Sequence, residues 1–218
     1  MTYEIVNTGN SRSFPDAHPF LAQAADSGLG RVFLGIGAGE AYARTSPDEA
    51  ASFIAIELGT ECLGVHTGEH GGTEGSNVVG FARFRLGDAA PSNLVELVKQ
   101  PNTLDSAIEA AKSAFTSAGL TVAVCNDFPG RIIDRLVRPY YNAALRRLDE
   151  KLATAADLDK TLCLGLGYPE GPISLLERTG LAHHYAVTSA LYEALGQEAY
   201  APARRARVAA ERAERTAS

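Results

Sequence analysis

Apolar positions recur along the chain with two different periods, and the change falls near residue 125. Before it, short apolar runs at residues 3–6, 31–34, 53–57, 78–84, 94–98 and 120–124 are bounded by Gly, Pro, Asn or Asp, which predicts strands. Helical patterns at 18–27, 47–52 and 103–118 lie between them, and an apolar stretch at 62–65 runs into a Gly-rich polar loop at 66–77. Strands alternating with helices predict an α/β domain with a largely parallel sheet. After Gly130 the period becomes helical, with predicted segments at 129–152, 155–164, 171–179, 181–195 and 202–215. The first of these carries an apolar stripe that includes Ile132, Leu136, Tyr140 and Leu148, and Pro139 inside it predicts a bend. Thr154 followed by Asp157 predicts a capped start for the second.

The junction holds the most specific residues. Asn126-Asp127-Phe128-Pro129-Gly130 ends the last strand and launches a helix: Asn126 and Asp127 can cap, and Pro129 suits a first turn because its missing N–H would be unpaired there. Further on, Leu164-Gly165-Leu166-Gly167-Tyr168-Pro169-Glu170-Gly171-Pro172 reads as a rigid helix-to-helix corner, with glycines free to take positive φ and prolines that stop the helix. Two domains are expected, residues 1–125 and 126–218.

Composition narrows the function classes. A net charge of −6 argues against general nucleic-acid binding, which needs a basic footprint. No apolar run is long enough to span a membrane, and the start at Met1 lacks the basic and apolar regions of a signal peptide, so the chain reads as cytoplasmic. Cys62, Cys125 and Cys163 are too few and too scattered for a disulfide framework and are expected as free thiols. Arg204, Arg205, Arg207, Arg212 and Arg215, interleaved with Glu211 and Glu214, read as a solvated helix, with an anionic ligand as the sharper alternative.

Few residues carry a chemical motif. There is no nucleophile elbow, phosphate-binding loop or H-E-x-x-H helix. Cys62, His66 and His70 share a spacing that metal sites use, but three groups on a Gly-rich loop read as solvated, and no metal is expected. His183-His184 opens a helix in an apolar pattern and reads as a core or interface pair. The strand at 31–34 runs into Gly35-Ile36-Gly37-Ala38-Gly39, where a dinucleotide fingerprint would lie. G-x-G-x-x-G is not completed: the third position is Glu40 or Tyr42, so Gly35, Gly37 and Gly39 are candidate cofactor-binding residues only in a degenerate form.

The two junction motifs, at their mutual spacing, are similar to those of the 3-hydroxyacyl-CoA dehydrogenase family, whose pattern is D-x-PG-F-I-x-N-R followed by LG-x-GYP-x-GP. The resemblance covers roughly residues 95–207. It implies a reduced Rossmann-like parallel sheet followed by an all-α dimerisation domain like that of 6-phosphogluconate and 3-hydroxyacyl-CoA dehydrogenases. It also implies a homodimer through the helical domain, NAD as cofactor, and acyl-CoA or a partner dehydrogenase chain as further partners. A full dinucleotide domain would need roughly 180 residues before the Pro-Gly, whereas 128 precede Pro129, so a trimmed domain is expected. Long forms of the family carry such a shortened segment before a second copy of the helical domain, and the chain is similar to that second half.

Oxidising a 3-hydroxyacyl thioester needs a base for the hydroxyl proton, and histidine held by a carboxylate suits the task. In the family the His lies in G-x-HFFNP, its Glu partner in LVEV, and an Asn follows PGF-I-x. Here Glu96, in Leu94-Val95-Glu96-Leu97-Val98, matches the carboxylate; the His position falls on Ala82 or Phe84, and the Asn is Asp134. Glu96 and Asp134 are therefore the candidate catalytic residues. A glycine-rich loop does not hold His66 or His70 as a substitute base. The expected function is a family protein with lost or impaired dehydrogenase activity, a pseudoenzyme acting as a dimeric acyl-CoA- or partner-binding module. The alternative is an active NAD-dependent dehydrogenase of fatty-acid or aromatic-acid degradation, alone or with a partner chain.

Overall fold

The computed structural model describes residues 2–217; Met1 and Ser218, the ends of the two expected domains, lie outside them. Two compact units emerge. One holds the chain up to Arg85 together with Pro91–Arg131, and the other holds Leu86–Ala90 and the chain from Ile132 onward. Residues 126–131 stay with the first unit, where Asp127 N–H donates to Lys99 O at 2.9 Å and Gly130 N–H to Thr60 O at 2.7 Å.

In the first unit, β1 (Tyr3–Asn7), β2 (Gly30–Leu34), β3 (Phe53–Glu57), β4 (Val78–Arg83), β5 (Leu94–Lys99) and β6 (Thr121–Asn126) form one sheet in chain order. Neighbours are parallel except β4 and β5, which are antiparallel. The helices are α1 (Pro19–Ala22), α2 (Ala38–Ala43), α3 (Gly64–Thr67) and α4 (Asp105–Ser117). Because side chains alternate along a strand, Val32, Ala55, Val79 and Leu97 share one face, and they close a core with Phe20 of α1 and Phe115 of α4. The Phe20 and Phe115 rings stack at 4.6 Å. The opposite face carries Ile56, Gly80, Ala82, Glu96 and Val98.

Two predicted helices are corrected. The segment expected at 18–27 is helical only over α1, because Ala25 N–H donates to Tyr3 O of the sheet at 2.9 Å. The segment at 47–52 is a turn: Ser52 N–H donates to Leu29 O at 2.6 Å and not back to Asp48 O, which accepts from Asn77 Nδ2 at 2.8 Å.

The second unit is built from α5 (Ile132–Asp149), α6 (Ala155–Leu166), α7 (Pro172–Thr179), α8 (Leu181–Leu195) and α9 (Arg204–Ala217), with a 3-10 turn at Glu198–Tyr200. Helix α5 starts three residues after Pro129, since Gly130 takes φ 79° and turns the chain first. Pro139 lies inside α5 and cannot donate to the carbonyl of Arg135; the Tyr200 hydroxyl donates to that carbonyl at 3.0 Å instead. Thr154 Oγ1 accepts from Asp157 N–H at 3.1 Å, the predicted cap. At the corner, Gly167 is left-handed and a Cβ on Gly171 would lie 2.2 Å from the Asp159 side chain. That close approach lets Asp159 accept from Ile173 N–H and Ser174 N–H, both at 2.9 Å, and so cap α7. Among the described residues no helix is long and apolar enough to cross a membrane.

Candidate functional site

Strands β4 and β5 carry the positions at which the sequence placed the acid–base pair. Their antiparallel register sets Ala82 directly opposite Glu96, while Phe84 lies beyond the end of β4. Ala82 is thus the cross-strand neighbour of the Glu96 carboxylate and sets a methyl group beside it. Glu96 is 1 % exposed. Nearby Cys125 is no substitute nucleophile: burial pushes its thiol up to about 11, with Arg131 opposing and Glu96 and Asp127 adding to the rise.

The glycines after β2 make room for the chain itself. Gly35 has φ 103°, and a Cβ there would lie 2.6 Å from the Gly9 carbonyl oxygen. At Gly37 a Cβ would meet Thr8 at 3.4 Å, and at Gly39 it would run into the His66 ring. The loop after β1 is held in this crevice by Thr8 N–H to Leu34 O at 2.8 Å and Ile36 N–H to Asn10 O at 3.1 Å. Glu57, which sequence reasoning passed over as the end of a strand, completes the closure. Its carboxylate accepts from Ser11 Oγ, Ser13 N–H and Gly35 N–H at 2.9, 2.7 and 2.7 Å. These three glycines fit a dinucleotide pyrophosphate poorly, because the Glu57 carboxylate holds the N–H of Gly35 and sets a negative charge where the phosphates would need a donor.

The junction turn organises a second group of residues. Asp127 accepts from Leu63 N–H and Gly64 N–H, both at 2.7 Å, and so starts α3. His66 therefore lies on α3 and not in a loose loop; its Nε2 is 3.6 Å from Glu61 Oε1. His70 is exposed. Among the described residues, no group of three or more His, Cys, Asp or Glu side chains is arranged to hold a metal ion. Arg131 stands where the family pattern has Phe, and that substitution was the available signal for it. It is 3 % exposed, with Nη2 donating to Glu61 O at 2.8 Å and Phe128 O at 2.9 Å, while Nε and Nη1 are buried without a hydrogen-bond partner.

Asp134 belongs to the helical unit and is engaged there. Arg138 Nε donates to its Oδ1 at 2.7 Å, and Arg138 Nη1 lies 3.2 Å from His184 Nδ1. A guanidinium only donates, so Nδ1 accepts and the ring proton sits on Nε2, 3.0 Å from Asn142 Oδ1. Asn142 Nδ2 then donates to Thr188 Oγ1 at 2.7 Å, and Thr188 donates to Tyr200 O at 2.7 Å. His184 is fully buried, as its apolar setting predicted; His183 is half exposed beside Asp88. On α9, Arg204 and Arg205 both pair with Asp149, at 2.9 and 2.8 Å, which leaves the solvated-helix reading intact for those two.

Comparison with known proteins fits this division. Residues 130–218 match the family model described as 3-hydroxyacyl-CoA dehydrogenase, C-terminal domain. The chain is 31 % identical over 109 residues to a probable 3-hydroxybutyryl-CoA dehydrogenase of Deinococcus radiodurans, covering 50 % of this chain and 39 % of that protein. It is 39 % identical over 102 residues to the mitochondrial hydroxyacyl-coenzyme A dehydrogenase of Sus scrofa, covering 46 % of this chain and 32 % of that protein. The matched segment thus spans about two fifths or less of these relatives. Among solved structures, M. tuberculosis FadB2 is similar with a TM-score of 0.69 at 22 % identity, covering 86 % of this chain and 67 % of that one. The (S)-3-hydroxybutyryl-CoA dehydrogenase PaaH1 from Ralstonia eutropha has a TM-score of 0.62 at 24 % identity, covering 73 % and 55 %. These two likenesses concern the fold.

Proposed function

We propose, from the premise that the chain resembles the 3-hydroxyacyl-CoA dehydrogenase family through its helical half, that it does not transfer hydride by itself and acts as a binding module. Its ligand on this reading is an acyl-CoA-like thioester or a partner dehydrogenase chain, and its assembly is a homodimer. The observation that carries the proposal is Ala82 opposite Glu96: a hydroxyl proton at that place meets a methyl group. The Glu57 carboxylate on the Gly35 N–H supports it from the cofactor side. Leu136 and Leu164, 71 % and 79 % exposed on the helical unit, support a second copy as the cover for an apolar surface.

The alternative, an NAD-dependent dehydrogenase working alone or with a partner chain, is favoured by the matched position of Glu96. One experiment separates them. NADH fluorescence is followed on mixing with the protein, and acetoacetyl-CoA is then added. The module reading expects no nucleotide binding and no turnover, together with a higher melting temperature in the presence of acetoacetyl-CoA. Turnover that disappears in Glu96→Gln would establish the enzyme and end the module reading.

A further inference from the structure

Past the C-terminal ends of β2 and β3, and bordered by Gly35 itself, the first unit keeps a cavity of about 420 Å³. That edge is where open α/β sheets take their ligands, and the volume sits toward the small end of the roughly 300–1,000 Å³ usual for small-molecule pockets. Glu57 reaches it, but its carboxylate already accepts from three donors. Glu61 lines it as well, with its side chain 37 % exposed. Both its oxygens take the Gly59 N–H at 3.0 Å, and its own carbonyl is gripped by Arg131 Nη2 at 2.8 Å. Burial alone would push the Glu61 carboxyl up, but the His66 ring and the Gly59 N–H outweigh it and hold the group below the usual range, ionised at neutral pH.

The same cavity is lined by two guanidinium-bearing residues, Arg12 and Arg85, and Arg12 Nη2 is tied to the Arg85 carbonyl at 3.1 Å. Leu58 and Ile36 supply apolar wall, Ile36 standing 92 % exposed at the rim. Two carboxylates, one of them already taken by three donors, and two guanidinium-bearing residues around so small a space match a ligand that carries both signs. We propose that this cavity binds a small zwitterionic amino carboxylate, its ammonium on Glu61 and its carboxylate on Arg12 and Arg85. A dinucleotide fits worse, since Glu57 and Glu61 would both face its pyrophosphate.

Isothermal titration calorimetry of the full chain tests the assignment with γ-aminobutyrate and L-serine as zwitterions and with butyrate and butylamine as single-charge controls. At least one zwitterion is expected to bind about tenfold or more tightly than either control. Glu61→Gln and Arg12→Gln should each weaken that binding by about tenfold or more. Ile36→Trp, at an exposed position, should block it with an unchanged melting temperature, which keeps the test valid if a charge variant folds poorly. Absence of zwitterion binding, butyrate or butylamine binding as tight as the zwitterion's, or full affinity in Glu61→Gln would overturn the proposal.

Discussion

In the helical unit the residues that form the recognisable motifs also close the unit's own hydrogen bonds: Asp159 caps α7 across Gly171, and Tyr200 serves the carbonyl that Pro139 cannot reach. In the sheet unit Ala82 faces Glu96 and Gly35 faces the Gly9 backbone, which on the proposed module reading leaves the positions of chemistry without their groups. A motif needed for folding persists in any version of a scaffold, whatever the scaffold now does. A motif needed only for chemistry can be exchanged without loss of fold. The helical half therefore informs on shape, and a test of activity belongs to the sheet half.

The largest expected effect breaks the helical half. Arg138 is 2 % exposed and bridges Asp134 to His184. Arg138→Met leaves a carboxylate and an imidazole lone pair without that donor, and should lower stability by about 3–5 kcal/mol in chemical denaturation. Adding Asp134→Asn should recover part of the loss by removing the charge left behind. If the double variant is no more stable than the single one, Asp134 is not held for the sake of Arg138, and its catalytic candidacy regains weight.

A smaller effect tests the sheet half. Were Gly35 kept to admit a pyrophosphate, Gly35→Ala would alter nucleotide binding with little change in stability. Because its φ is 103° and Gly9 lies against it, the substitution should instead cost roughly 1–3 kcal/mol. A variant as stable as the parent would mean that the crevice has room to spare.

The same contrast explains what the sequence made legible. The Thr154 cap follows from spacing alone, because the residues that make it lie three apart in the chain. The turn at 47–52 and the early end of α1 were hidden, since each depends on a bond to a distant residue, Asn77 in one case and Tyr3 in the other. Glu96 could be placed from its flanking apolar residues, but only strand register chose Ala82 over Phe84 as its neighbour. Glu57 and Glu61 carried no motif; their roles come from loops that fold back over the strand ends. Nothing near His66 in sequence announces its helix, because Asp127, far along the chain, starts α3.

The smallest effect is a pH dependence confined to the helical half. Burial, and next the charge of Arg138, lower the His184 pKa from 6.5 to about 3. The unfolded chain therefore takes up a proton at this residue as pH falls below about 6.5, while the folded chain does not, so folding loses ground throughout the window down to about 3. Above that window the imidazole is neutral in both states and its contribution is fully present. The loss should be roughly 1 kcal/mol between about pH 6.5 and about pH 5.5, as half-titration of the unfolded ring gives way to nearly full protonation. Urea denaturation at the two pH values reads it directly. His184→Gln, less stable overall, should show a flatter profile over the same interval, because the group that distinguishes the two states is gone. A profile equally steep in the variant would assign the acid sensitivity to other groups and remove His184 from the account of what closes this unit.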